Sequence, residues 1–128
     1  MRLVNFALWI VQGLLAIIYL GAGGRKVIRP IAILSKSMPF VREVPPWLTR
    51  FIGIVEMLGA IGVILPLATG ILPWLTVAAA AGLGVVQALA IGYHVSHGDD
   101  PKQLPLNVVL LLLALFVVIG RVVWIPVA

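Results

Sequence analysis

The sequence predicts an all-α integral membrane protein, folded as a compact bundle of four transmembrane helices with a polar interior seam. Three observations lead to this prediction: the composition, four long apolar stretches, and the spacing of the few polar residues. Of the 128 residues, 62% are hydrophobic and 10% are charged, whereas soluble domains average about 45–50% apolar and about 25% charged residues. The composition therefore excludes a soluble enzyme, a disordered chain and a nucleic-acid-binding domain.

Four apolar stretches each have the length of a transmembrane helix. About 20 apolar residues cross the ~30 Å hydrocarbon core of a bilayer, and the chain contains four such runs, at residues 3–24, 47–65, 70–95 and 104–124. Proline favours the first turn of a helix, so Pro73 and Pro105 mark helix starts, while Pro66 is predicted to close the second span. The four spans fill residues 1–128 as a single domain.

The basic residues indicate how the bundle is oriented. Lys and Arg accumulate in the cytoplasmic loops of membrane proteins, which also explains the net charge of +5. Only Arg2 and Arg121 lie on the side of the termini; the other side has Arg25, Lys26, Arg29, Lys36, Arg42, Arg50 and Lys102. We therefore expect the loop at residues 25–46 to be cytoplasmic, with a short interfacial helix at 29–36, and both termini to lie outside.

Polar residues recur along each span at steps of three, four or seven, which keeps them on one helix face. Because an unpaired polar group costs several kcal/mol in hydrocarbon, these faces are expected to turn toward one another. The candidates for a buried polar or ligand-binding cluster are Gln12, Tyr19, Lys26, Arg50, Glu56, Gln87, His94 and Asn107.

Glu56 is the focus of this cluster because it lies about 13 Å along the second span, near the middle of the bilayer. A carboxyl at that depth must be protonated, wetted or paired with a cation. The candidate cations are Lys26, Arg50 and His94. Two interpretations remain open: a functional site, or a structural clasp in which Glu56 bonds a neighbouring polar side chain.

No catalytic or metal-binding motif emerges from the sequence. His94 and His97 are three residues apart, close to Asp99 and Asp100, but this spacing is not that of a helical metal site. Cysteine is absent, which excludes thiolate chemistry and cysteine-ligated metals. The chain is therefore not expected to be an enzyme on its own.

Three segments resemble the DoxX-like family of small bacterial membrane proteins. They are the run from Arg50 to Gly62 followed by Pro66, the end of the first span at residues 23–26, and Leu106-Asn107. The resemblance implies a four-span protein of the bacterial inner membrane that is associated with quinone-linked redox complexes. The residues that match the family pattern are Lys26, Glu56 and Asn107.

Three functions follow as hypotheses. The first is an accessory subunit of a membrane redox complex that holds a quinone near Glu56, Gln87 and His94, since polar groups in an apolar cleft bond quinone carbonyls. The second is a structural or assembly protein without a ligand. The third is a small proton-coupled transporter, which the placement of the acid in the second span and the fixed charge asymmetry disfavour. Expected partners are the lipid bilayer, redox subunits or a second copy of the chain.

Overall fold

The computed structural model describes residues 2–97 and 103–127, and all of its regular elements are helical. In chain order they are α1 (Arg2–Ile28), α2 (Ile31–Ser37), a 3₁₀ turn (Pro39–Arg42), α3 (Pro46–Gly62), α4 (Leu65–Thr69), α5 (Trp74–His97), α6 (Gln103–Ile119) and a π-helical turn (Gly120–Trp124). The segment between the third and fourth spans that contains Asp99 and Asp100 lies outside the described residues. The prediction of an all-α fold is confirmed.

Among the residues that the structure describes, four helical segments are long and apolar enough to cross a membrane, as the sequence predicts. These segments are Arg2–Ile28, Pro46–Thr69, Trp74–Ser96 and Leu104–Trp124. Large apolar side chains cover the outside of the bundle; Leu3, for example, is 83% exposed. An apolar exterior of this extent is stable only against lipid, so the chain is a multi-pass membrane protein in contact with the bilayer.

The first helix is longer than predicted, so residues 25–28 belong to α1 and not to the following loop. Its last turn is stabilised from outside, because the Arg50 Nη1 atom donates hydrogen bonds to the carbonyls of Lys26, Val27 and Arg29, at 2.8, 3.1 and 2.6 Å. Carbonyls at a helix C-terminus have no partner within the helix. Arg50 supplies that partner, and the helix continues to Ile28.

The second span is interrupted near its end. The sequence predicts that Pro66 closes this span, but in the structure Pro66 lies in the first turn of a further short helix. Helix α3 stops at Gly62, and α4 starts at Leu65 with Pro66 in its first turn. Proline has no N–H and clashes with the carbonyl four residues earlier. The regular helix is therefore interrupted before Pro66. Helical structure resumes in α4, and Gly70, in a left-handed conformation (φ 74°), follows its last residue.

Two antiparallel helix pairs build the bundle: α1 packs most extensively against α3, and α5 against α6. In the first pair, a Cβ placed on Gly23 would lie 2.6 Å from the Gly53 carbonyl oxygen, and one on Gly53 would lie 2.7 Å from the Gly23 carbonyl oxygen. The backbones thus approach more closely than any side chain permits. Small residues allow such packing in membranes, where no hydrophobic force acts between helices.

The connection between α1 and α3 folds onto the bundle. The predicted short helix is confirmed as α2, which begins directly after Pro30. Leu34 and Val41 are buried, with 1% and 2% exposure, and the Phe40 ring packs edge-on against Tyr93 of α5 at 6.3 Å between centroids. We call this side of the bundle the loop end, and the opposite side, with Arg2 and residues 125–127, the terminal end.

Candidate functional site

Most of the buried polar side chains of the four spans belong to one of two clusters inside the bundle. Those that are at least nine-tenths buried are Gln12, Thr49, Glu56, Thr76, Gln87, Asn107 and Arg121. An apolar layer separates the two clusters, and Leu15, Ala60 and Leu83 are among its buried members. Glu56 is 2% exposed, so its carboxyl faces the interior of the bundle and not the acyl chains.

Lys26 and Glu56 form the centre of the loop-end cluster, which also contains Tyr19, Gln87 and Asn107. The Lys26 Nζ atom lies 2.5 Å from Glu56 Oε1, and the two side chains are 12% and 3% exposed. The glycine contact between α1 and α3 brings the base of the Lys26 side chain against α3, since a Cβ on Gly53 would lie 2.8 Å from Lys26 Cβ. Of the three candidate cations, Lys26 is the one that forms an ion pair with the Glu56 carboxylate.

The other two candidate cations have different surroundings. Arg50 caps the end of α1 through its backbone carbonyls. His94 is partly buried at the loop end, where its ring meets Tyr93 edge-on at 6.0 Å between centroids. Tyr93 in turn donates a hydrogen bond to Glu43 Oε2, which ties α5 to the connection between α1 and α3.

Tyr19 and Gln87 lie beside the ion pair. Tyr19 is 1% exposed and Gln87 5% exposed. The Tyr19 hydroxyl faces the Gln87 side chain and the Glu56 carboxyl, but it makes no hydrogen bond of good geometry. Helices α1, α3 and α5 therefore each contribute a polar group to one small region.

Asn107 brings a polar group from α6 to the same level. A Cβ on Gly84 would lie 3.8 Å from the Leu111 side chain, so these positions of α5 and α6 lie opposite each other. One helical turn from this contact toward the loop end leads to Gln87 on α5 and to Asn107 on α6. Asn107 is 8% exposed, so α6 also has a buried polar side chain at the level of Gln87, and we count it with the loop-end cluster.

Three polar atoms of this cluster have no hydrogen-bond partner among the described residues. They are the Tyr19 hydroxyl, Gln87 Oε1 and Asn107 Nδ2. Buried polar atoms in proteins are nearly always bonded, because an unpaired one costs about 1–3 kcal/mol. The Tyr19 hydroxyl and the Gln87 side chain lie near enough to interact with each other, and the unsatisfied atoms are also complementary to ordered water or to a small polar ligand.

The terminal-end cluster centres on Arg121, which was not among the predicted site residues. Its Nε atom donates to Gln12 Oε1 at 2.8 Å and its Nη1 atom to Asn5 Oδ1 at 2.7 Å. The guanidinium also lies 5.2 Å from the centre of the Trp9 ring. Gln12 completes the cluster by donating from Nε2 to the Val63 carbonyl at 2.6 Å.

Gln12 therefore binds Arg121 and does not join Glu56 in one continuous polar seam. Sequence spacing pointed to Arg121, because it lies seven residues after Ala114 and fourteen after Asn107 on one face of the fourth span. What the spacing did not indicate is its depth, since a basic residue near the end of a span usually extends toward water. Arg121 is instead 2% exposed.

Of the two histidines, His94 is the one whose side chain the structure describes, at the loop end of α5. The side chain of His97, together with Asp99 and Asp100, lies outside the described part of the chain. Within the described part, no group of three or more His, Asp or Glu side chains converges on one point.

Comparison with known proteins agrees with the motifs. A model of the DoxX-like family matches residues 10–117, which cover both polar clusters except for Asn5, Trp9 and Arg121. No curated protein and no solved structure matches the chain.

Proposed function

The chain belongs to the DoxX-like family, and on that premise we propose that it is an accessory subunit of a quinone-linked redox complex in the bacterial inner membrane. In this proposal the loop-end cluster holds the quinone. The observation that supports it is the set of three unpaired polar atoms on Tyr19, Gln87 and Asn107.

The chemistry of these atoms suits both redox forms of a quinone. The Tyr19 hydroxyl and Asn107 Nδ2 are donors, which match the carbonyl oxygens of a quinone. Gln87 Oε1 is an acceptor, which matches a hydroxyl of the reduced quinol. The cluster lies between the α1–α3 pair and the α5–α6 pair, where helix contacts are fewer, and ligand sites in bundles commonly lie between helices.

The Lys26–Glu56 pair has a supporting role in this proposal. It places a proton-carrying ammonium and a carboxylate next to the ligand site while the net charge at the site remains zero. Because the chain has no cysteine, a thiol relay is not available within it. We therefore assign electron transfer to partner subunits, and we assign no catalytic residue to this chain.

Binding of decylubiquinone to the detergent-purified protein, followed by tryptophan fluorescence, tests the proposal. The Tyr19→Phe and Asn107→Leu variants each lose a donor and are expected to bind about tenfold more weakly. Tyr93→Phe is the matched control because Tyr93 is the other tyrosine and bonds Glu43 instead. Equal affinity of all three variants and the wild type would overturn the proposal, as would the absence of binding to the wild type.

Association with a redox complex requires a separate test. Affinity purification of the protein from native membranes, followed by mass spectrometry, is expected to recover quinone-dependent oxidoreductase subunits. Recovery of the chain only with further copies of itself would contradict the accessory-subunit assignment and favour a homo-oligomer.

A structural role without a ligand is the second candidate, and the close contact between α1 and α3 favours it. There the ion pair and the two facing glycines occur side by side, within one turn of each other. A purely structural clasp predicts that changes at Glu56 lower the melting temperature while no quinone binds. A proton-coupled transporter receives less support, because Glu56 is already neutralised by Lys26.

A further inference from the structure

We propose that the terminal end of the bundle binds the anionic headgroup of a membrane lipid, with Arg121 as the residue that recognises the anion. The ligand class is a phosphate or carboxylate group attached to an acyl chain. This site lies at the opposite end of the bundle from the loop-end cluster, so it does not depend on the proposed quinone site.

The first argument is the unbalanced charge of Arg121. Its side chain is 2% exposed, and its two hydrogen-bond acceptors, Gln12 Oε1 and Asn5 Oδ1, are both neutral. Neither of the two acidic side chains that the structure describes contacts it. A buried charge without a counter-charge is strongly unfavourable in a membrane, so an anion supplied from outside the chain would stabilise it.

The second argument is the atom that remains unpaired. Arg121 Nη2 is buried and has no hydrogen-bond partner in the described part of the chain. The amides and the Trp9 ring hold the rest of the guanidinium in place. A guanidinium fixed in this way loses little conformational entropy when it binds a planar or tetrahedral anion.

The third argument is the cleft beside Arg121. It has a volume of about 400 Å³ and opens on the bundle surface, and apart from Arg121 its walls are apolar. Its lining includes Trp74, Val77, Arg121, Val122, Pro126 and Val127. An apolar groove with a single cation at its edge matches an amphiphile that carries one anionic group.

The depth of the site favours a lipid over a soluble anion. Arg121 and Trp124 lie in the same π-helical turn, and Trp124 is the last residue of the fourth span. Trp9 and Trp74 lie at the same end of the bundle. Tryptophan concentrates at the level of lipid headgroups, which is where a lipid phosphate would meet Arg121.

Native mass spectrometry of the detergent-purified protein tests this proposal. The protein is supplied with dioleoylphosphatidylglycerol, dioleoylphosphatidylcholine, oleate or inorganic phosphate. We expect about tenfold tighter binding of the first phosphatidylglycerol than of phosphatidylcholine. Saturating binding of oleate in place of phosphatidylglycerol would identify a fatty acid as the source of the anion and supports the same chemistry. Retention of inorganic phosphate alone, or equal binding of the two phospholipids, would overturn the assignment.

Variants locate the binding event. Arg121→Gln is expected to retain one phosphatidylglycerol fewer than the wild type, and Arg121→Lys to regain part of that binding. Arg2→Gln is the matched control, because Arg2 is exposed at the same end and does not line the cleft. Since Arg121→Gln could impair folding, Val77→Phe fills the cleft without changing Arg121 and is expected to lose the same lipid. Wild-type lipid retention by Val77→Phe would overturn the proposal.

Discussion

At the scale of single residues, the ion pair between Lys26 and Glu56 shows why two charged side chains can reside within membrane-spanning helices. Each charge alone would be costly in hydrocarbon, but at 2.5 Å they neutralise one another. The two members differ in what they do when the partner is lost. A carboxyl can take up a proton and become neutral, whereas an ammonium on a long side chain either remains buried or extends toward water.

Glu56→Gln is expected to lower the free energy of unfolding by about 3 kcal/mol, because it leaves a buried ammonium without a counter-charge. Lys26→Met is expected to lower the free energy of unfolding as well, because it leaves the buried Glu56 carboxyl without its cation. The double variant Lys26→Met with Glu56→Gln should regain most of the loss. Thermal unfolding in detergent measures all three. A Glu56→Gln protein as stable as the wild type would show that the pair contributes nothing to folding.

At the scale of helices, the contact between Gly23 and Gly53 decides how α1 and α3 pack. Each glycine lies opposite the backbone of the other helix, with no space for a methyl group. The nearby Gly24 faces open space instead, because a Cβ added there would have no neighbouring atom within 4 Å. One turn of α1 therefore contains a glycine that packing requires and another that it does not.

Gly53→Ala is expected to destabilise the protein by about 1–3 kcal/mol, because the added methyl group forces α1 and α3 apart. Gly24→Ala, the matched control, is expected to stabilise it by about 0.5–1 kcal/mol through the higher helix propensity of alanine. Denaturation of both variants in detergent tests the difference. Equal effects of the two substitutions would mean that the helices are not held in close contact at Gly53.

Sequence reasoning predicted the helices well, since apolar length and proline position are local properties of the chain. The four spans and α2 follow from them, and the inward placement of Glu56 follows from the spacing of polar residues along each span. Which polar groups pair with each other could not be predicted in this way, because the pairing depends on the register of each helix relative to its neighbours. Lys26 reaches Glu56 only in the register of α1 and α3 set by Gly23 and Gly53, and Gln12 reaches Arg121 through the packing of α1 against the end of the fourth span.

At the scale of the whole molecule, the interior has two polar clusters with an apolar layer between them. On α1, Gln12 belongs to the terminal-end cluster and Tyr19 to the loop-end cluster. The seven residues from one to the other correspond to about 10.5 Å along the helix, which is the separation of the two clusters. Residues that far apart, without shared partners, contribute independently to stability. The two ends of the bundle can thus have different functions, as the quinone and lipid proposals require.

Double-variant cycles test this separation. The effects of Gln12→Leu and Glu56→Gln on the free energy of unfolding are expected to add within about 0.5 kcal/mol, because the residues belong to different clusters. Gln12→Leu and Arg121→Leu, which remove both sides of one hydrogen bond, are expected to deviate from additivity by about 1 kcal/mol or more. Strong coupling between Gln12 and Glu56 would indicate a single continuous network.

Orientation in the membrane is also a property of the whole molecule. The cysteine-free chain allows single cysteines to be introduced at Lys36 and Arg2, both exposed and at opposite ends of the bundle. With the basic loop in the cytoplasm, a membrane-impermeant maleimide added to intact cells should label Arg2→Cys, and Lys36→Cys only after the membrane is opened. The reverse labelling pattern would contradict the proposed topology.

The interruption before Pro66 connects distant parts of the chain. In an unbroken helix the Leu67 amide would donate to the Val63 carbonyl; here it donates to Thr76 Oγ1 at 3.1 Å, and the carbonyl accepts from Gln12. Pro66 thus interrupts the backbone hydrogen bonds of the second span. Thr76 of α5 and Gln12 of α1 bond the backbone groups that this interruption leaves without a helical partner. A sequence change that restored a regular helix at position 66 would displace Gln12, and through it Arg121, so these positions are expected to change together in evolution.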